Sequence, residues 1–309
     1  MCGPTNSASK STSNVDNDSR LLLFSVESFK GHGGVPNAKA QSCTVAFLVF
    51  ILVAIEMSSR QFFTAIKHMH PILEDETSRN ILARHIGVDA FSCFTVAFLG
   101  WKARHVVQDL IDATIGGRKN AMPVAYEKRM FTYEPEGQRV ALFFLAYQIK
   151  NTYDTLVWND GIIFIIHHVL TLLTTWGGIQ GNAHFYALFF FGFSESSTGV
   201  LCLLANFDDE FGVVGLADAF PMVKVVLGGL FAVLFVICRV LMWSTFSYYY
   251  CRDVWYVLSG SNPRLELPGH RAWFRFTFLS LSILSLLQII WLGEIARVGK
   301  EELEKMGLL

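Results

Sequence analysis

The sequence predicts an all-α polytopic membrane protein, a bundle of about seven transmembrane helices, on three observations. Hydrophobic residues make up 52% of the chain against 17% charged, with a mean hydropathy of +0.39, which no soluble globular chain needs. Apolar runs long enough to cross about 30 Å of hydrocarbon recur along the chain from residue 42 onward. The ionisable residues inside those runs fall on one side of each helix, as they do when a polytopic protein turns them away from lipid. A net charge of −1 and the absence of a basic face exclude nucleic acid as a partner. Six cysteines without a CxxC pair, most of them in apolar runs, exclude a disulfide framework and a metal site.

In chain order, residues 1–41 are polar and rich in Ser, Asn, Gly and Lys, and read as a disordered tail. Residues 42–79 hold the first span, 42–57, and its loop. Residues 80–298 hold the other six, at 81–101, 139–156, 160–178, 184–207, 220–247 and 273–298. Residues 299–309 form a polar C-terminal tail. The basic residues concentrate on the side that holds the N-terminus, so the positive-inside rule places that side in the cytosol.

The fourth span, DGIIFIIHHVLTLLTTWGG, carries the strongest signal. A helix turns about 100° per residue, so Asp160, His167, Thr171 and Thr174 lie within roughly 60° of one another, flanked by His168 and Thr175. The fifth span repeats the pattern, with His184, Glu195, Thr198, Cys202 and Asn206 in one stripe. A glutamate at mid-span needs a cation, hydrogen-bond donors or a proton. The histidines of the preceding helix are the nearest partners in sequence, so spans four and five are expected to face each other through these stripes. Small residues around Glu195, Gly192 among them, would allow close approach. The third span aligns Tyr147, Asn151 and Asp154, the sixth carries Arg239, and the seventh aligns Thr277, Ser285, Gln288 and Trp291. Arg239 requires a carboxylate or a route to the headgroups.

These residues suit two kinds of chemistry. A histidine pair beside a glutamate can serve acid–base or nucleophilic catalysis, with His167, His168 and Glu195 as the candidate catalytic residues. Tyr147, Asp154, Asp160, Thr171, Thr198, Arg239, Gln288 and Trp291 are the candidate cavity-lining or lipid-binding residues. The same stripes also suit interhelical hydrogen bonds that only hold a bundle together.

HHVLT, then FSESST, LGGLFAVLFVICRV and LQIIWLGEI, in that order and spacing, resemble the TLC domain of the TRAM–Lag–CLN homology group over about 80–298. The resemblance implies a multi-pass protein, chiefly of the endoplasmic reticulum membrane, with the plasma membrane as the alternative. It implies either a ceramide synthase-like transfer of an acyl group from acyl-CoA to a sphingoid amine, or a non-synthase role in membrane lipid composition. Counted from His168, the synthase motif's two aspartates would fall on Glu195 and Thr198, and its later glutamate and lysine on Cys202 and Ala205. The ESST block resembles the non-synthase branch instead. The expected function is therefore lipid homeostasis, with a membrane lipid bound or modified in a polar cavity between helices. No cofactor is expected, and acyl-CoA enters only as the substrate of an acyltransferase. A non-enzymatic cargo or scaffold protein is the further alternative.

Overall fold

The computed structural model describes residues 37–116, 125–208, 210–260 and 269–305, and every regular element among them is helical. Helix α1, Ala38–Ala65, starts where the Asn37 side chain accepts from the Lys39 and Ala40 amides at 3.1 and 3.2 Å. Helix α2, Glu76–Lys102, is capped by Asp75, which accepts from the Ser78 amide at 2.7 Å. Two short helices follow, α3 at Gln108–Ile115 and α4 at Tyr126–Phe131. Helix α5, Pro135–Trp158, opens on a proline at its first turn and ends at Asn159 in the left-handed region, φ 56°. Gly161, at φ 102°, then reverses the chain into α6, Ile162–Gly178. Helices α7, His184–Phe207, α8, Pro221–Ser259, and α9, His270–Lys305, complete the bundle.

Helices occupy all seven expected positions. Among the described residues, five are long and apolar enough to cross a membrane: α1, α2, α7, α8 and α9. Helix α5 carries Glu136, Arg139, Lys150 and Asp154, and α6 has only 17 residues. Segment ends also move. Helix α1 reaches eight residues beyond position 57, α8 runs on to Ser259, and α9 continues unbroken through most of the expected C-terminal tail. Residues 1–36 of the expected N-terminal tail lie outside the described residues.

The packing corrects the central expectation about neighbours. Helix α6 packs against α5 and α9, whereas α7 packs against α2, α5 and the first half of α8. Helices α6 and α7 therefore do not meet through their polar stripes. Gly192 does permit close approach, but to α2: a Cβ there would stand 3.1 Å from the Gly100 Cα. Gly199 is likewise pressed against the Phe94 ring of α2. The buried centre is aromatic, with Phe189 stacked on Phe246 at 4.0 Å and Phe144 on Phe191 at 5.0 Å. The outer side of α6, including Ile162, Ile163, Ile166 and Leu173, is exposed, as lipid contact requires.

Three helices depart from α-geometry for a turn or two of π-helix, at Ala83–Ala90, Phe189–Phe193 and Val236–Met242. A wide turn of this kind redirects the side chains that follow it and recurs at functional sites. Here the three turns carry or immediately precede Arg84 and Asp89, Glu195, and Arg239.

Candidate functional site: a polar cavity among six helices

A cavity of about 1230 Å³ lies between α2, α5, α6, α7, α8 and α9. Its wall includes His167, His168, Glu195, Tyr147, Asp160, Thr171, Thr198, Arg239, Gln288 and Trp291. Of the candidate residues only Asp154 stands apart. Its carboxylate takes an ion pair from Lys150, which also reaches Glu56 of α1 at 2.7 Å.

The ESST block is held by one arginine. Arg239 Nη2 donates to Glu195 Oε1 at 2.8 Å and to Thr198 Oγ1 at 2.7 Å, and Nε donates to Ser197 Oγ at 3.4 Å. Its guanidinium also lies 5.3 Å from the Trp243 ring centroid. The remaining hydroxyl of the block, Ser196 Oγ, accepts from Trp101 Nε1 of α2 at 3.1 Å. The spacing explains the grip: on a helix the side chains at 195 and 198 are one turn apart, so a planar fork reaches both.

One expectation is corrected by this contact: the partner of Glu195 is Arg239, not the histidine pair. Of the two routes open to Arg239, it takes the carboxylate and is buried. Adjacency in the chain points to α6, whereas the cation comes from α8.

The histidine pair has its own support. His168 Nδ1 lies 3.2 Å from Gln148 Oε1 and 3.5 Å from Asn151 Nδ2, both on α5. Paired with the Gln148 carbonyl oxygen, Nδ1 would carry the ring proton and leave Nε2 its lone pair; paired with the Asn151 amide it would accept instead. Asn151 also donates to Tyr147 OH at 3.0 Å, and the Cys93 thiol lies 3.7 Å from both Tyr147 OH and Glu195 Oε2. The two halves of the site are thus linked through Tyr147 and Cys93. His167 meets Trp291 edge-to-face at 5.4 Å, and its Nδ1 has no partner among the described residues. Asp89 Oδ1 and Gln288 Oε1, both on the cavity wall, are likewise without one.

At the mouth, Asp160 receives an ion pair from Arg84, whose guanidinium lies 5.6 Å from the Trp158 ring centroid. Arg84, Asp89 and Gln148 complete the wall and were not among the candidates. Arg84 and Asp89 signal themselves as ionisable residues inside the apolar run of the second span, whereas Gln148 carries no such signal.

A family profile for the TLC domain matches residues 113–297, more than half of the 309 residues. The chain belongs to the TLC domain family. Curated proteins and solved structures provide no match to it. The TLC match begins after α2, so two parts of the chain outside it, α1 and α2, close the site: α2 supplies Arg84 and Asp89 to the cavity, and α1 packs on α5 behind it.

Proposed function

We propose that this multi-pass membrane protein serves lipid homeostasis by holding a membrane lipid in the six-helix cavity, in the endoplasmic reticulum membrane. The observation that carries the proposal is the cavity itself. Its volume, about 1230 Å³, exceeds the roughly 300–1,000 Å³ of ordinary small-molecule pockets. Phe144, Phe190, Phe231 and Leu284 supply apolar wall, while the histidines, Gln288 and the Arg239–Glu195 pair supply polar groups deep inside. An amphiphile matches that division: its chains exclude water from the apolar wall, and its polar group meets the polar side chains inside.

An acyltransferase reading, with a sphingoid amine and acyl-CoA, rests on the His168 Nε2 lone pair as general base or acyl acceptor. Glu195 would not serve that histidine, because its Oε1 is committed to Arg239. The geometry therefore favours holding the lipid over synthase-like chemistry.

The test is native mass spectrometry of the protein released from its bilayer, compared with Ala232→Trp, which fills the cavity from α8 without removing a charge. A lipid carried by the wild type and lost in the variant supports the proposal; equal retention by both overturns it. Lipid profiles of cells with and without the protein separate the alternatives. Changed ceramide acyl chains favour the acyltransferase, changed phospholipid composition favours homeostasis, and no change favours a scaffold.

A further inference from the structure

The helices around the cavity form a ring, and its seams are not equally closed. Helices α5 and α6, α7 and the first half of α8, and α2 and α7 pack along extended faces. The seam between the first half of α8 and the second half of α9 is different. At one end Lys224 Nζ meets Glu302 Oε1 at 3.4 Å, and towards the middle Phe231, Phe235, Trp291 and Ile295 join in one apolar cluster. Between those two points the cavity runs directly behind the seam, lined by Val225, Gly228 and Gly229 from α8 and by Val298 and Gly299 from α9.

The glycines here are unlike those elsewhere in the bundle. Gly100 and Gly192 are glycine because backbones touch, but a Cβ at Gly228, Gly229, Gly293 or Gly299 would meet nothing within 4 Å. Close packing therefore does not account for them; they leave a thin wall between cavity and bilayer. Val225 and Val298 line the cavity and are 37% and 44% exposed, so the seam is thinly packed at that level. The first half of helix α9 is anchored away from this seam, by Thr277 to Tyr250 OH at 2.7 Å and by Ser285 to Trp243 Nε1 at 3.0 Å.

We propose that this seam is a lateral portal through which a bilayer lipid passes into the cavity, and that the Lys224–Glu302 ion pair latches it. The proposal rests on the lipid-holding reading and adds a route and a gate. The ligand class follows from the wall: apart from the latch pair and the Glu294 and Glu301 carboxylates of α9, the cavity at this level is lined by Val225, Gly228, Gly229, Val298 and Gly299, which suits the hydrocarbon chain of a lipid. The latch pair is part-exposed, its side chains at 28% and 29%, so it holds the seam weakly enough to be released.

The experiment uses the full-length protein in lipid nanodiscs doped with a phosphatidylcholine carrying a photoactivatable group on its acyl chain. Labelling of cavity peptides is followed over time. Lys224→Glu should speed labelling by about two- to five-fold, the factor a part-exposed ion pair is worth, and Lys224→Glu with Glu302→Lys should return it to the wild-type rate. In a background lacking Cys2 and Cys43, Lys224→Cys with Glu302→Cys joined by a short bis-maleimide should slow labelling at least several-fold, and the same variant left unjoined should not. Cavity labelling at one rate in all these forms overturns the portal and leaves the lipid site standing. No cavity labelling in any form, the wild type included, overturns the lipid site and the portal with it.

Discussion

Two of the buried charge groups in this bundle bear comparison, Arg239–Glu195 on the cavity wall and Lys150–Asp154 away from it. Arg239 and Glu195 are 8% and 6% exposed, Lys150 and Asp154 are 6% and 4%, and each group neutralises itself within the membrane region. The first pair lies on the cavity wall and ties α7 to α8, with Thr198 and Ser197 sharing the guanidinium. The second lies behind α5, where Lys150 joins Asp154 to Glu56 and so fastens α1 to the domain. Burial and pairing are thus what any charge in a bundle must achieve, and they do not mark function. What separates the two groups is the cavity: beside Arg239 there are polar atoms left over, while beside Lys150 the carboxylates and the ammonium use each other up.

The largest effect should come from breaking the first pair on one side. Glu195→Leu leaves a buried guanidinium without its carboxylate, at a cost of about 3–5 kcal/mol, and should lower the melting temperature and the yield of folded protein. Glu195→Gln keeps an acceptor for Arg239 and should cost about 1–3 kcal/mol. Arg239→Lys should behave like a loss and not like a conservative change, because an ammonium cannot span Glu195, Thr198 and Ser197 together. Glu195→Leu combined with Arg239→Leu should recover much of the stability. Melting curves in detergent decide these points, and a double variant whose loss equals the sum of the two single losses would show that the residues act separately.

Lys150→Leu should be of similar size, about 3–5 kcal/mol, since it strands the buried Asp154 and leaves Glu56 only Arg60 as partner. Its functional consequence should differ. Lipid retained per folded molecule should match the wild type, whereas Glu195→Gln should lose retention at a smaller stability cost. Equal retention losses in both would erase the distinction drawn here.

A third, smaller effect tests the packing that sets the cavity's width. Gly192→Ala brings a Cβ against the Gly100 backbone and should cost about 1–3 kcal/mol. Gly228→Ala adds a methyl to open space, so it should stay within about 0.5 kcal/mol of the wild type. Thermal shifts of the two purified variants check the contrast.

How much of this was legible in the sequence follows from the range of the interactions. Helix class and positions came from local hydropathy, and the polar stripes identified most of the cavity wall, because a stripe depends only on turn angle along one helix. Which stripes face each other depends on the order of helices in space. Nothing at position 195 says that its cation sits 44 residues later on α8, or that Asp160 meets Arg84, 76 residues before it. Asp154 was placed in the cavity because it shares a side of α5 with Tyr147 and Asn151. The partners that hold it elsewhere, Lys150 one turn back and Glu56 on α1, fill a face that the third span alone does not reveal. The π-turns were equally invisible, since they shift a stripe by a fraction of a turn without any composition signal.

The smallest effect on stability should carry the sharpest functional reading. His167 touches Trp291 ring to ring, and its Nδ1 has no protein partner, so the fold gains from its shape and little from its nitrogen. His167→Phe preserves an aromatic ring against Trp291 and should change stability by less than about 1 kcal/mol. His168 is different, because Nδ1 is held by Gln148 and Asn151; His168→Phe leaves those buried amides short of a partner and should cost about 1–3 kcal/mol. If the cavity holds a lipid's polar group, His167→Phe should lose retention while remaining as stable as the wild type. A stable His167→Phe protein that retains lipid normally would reduce the histidine pair to packing, and would place the polar contact at Gln288 or Asp89 instead.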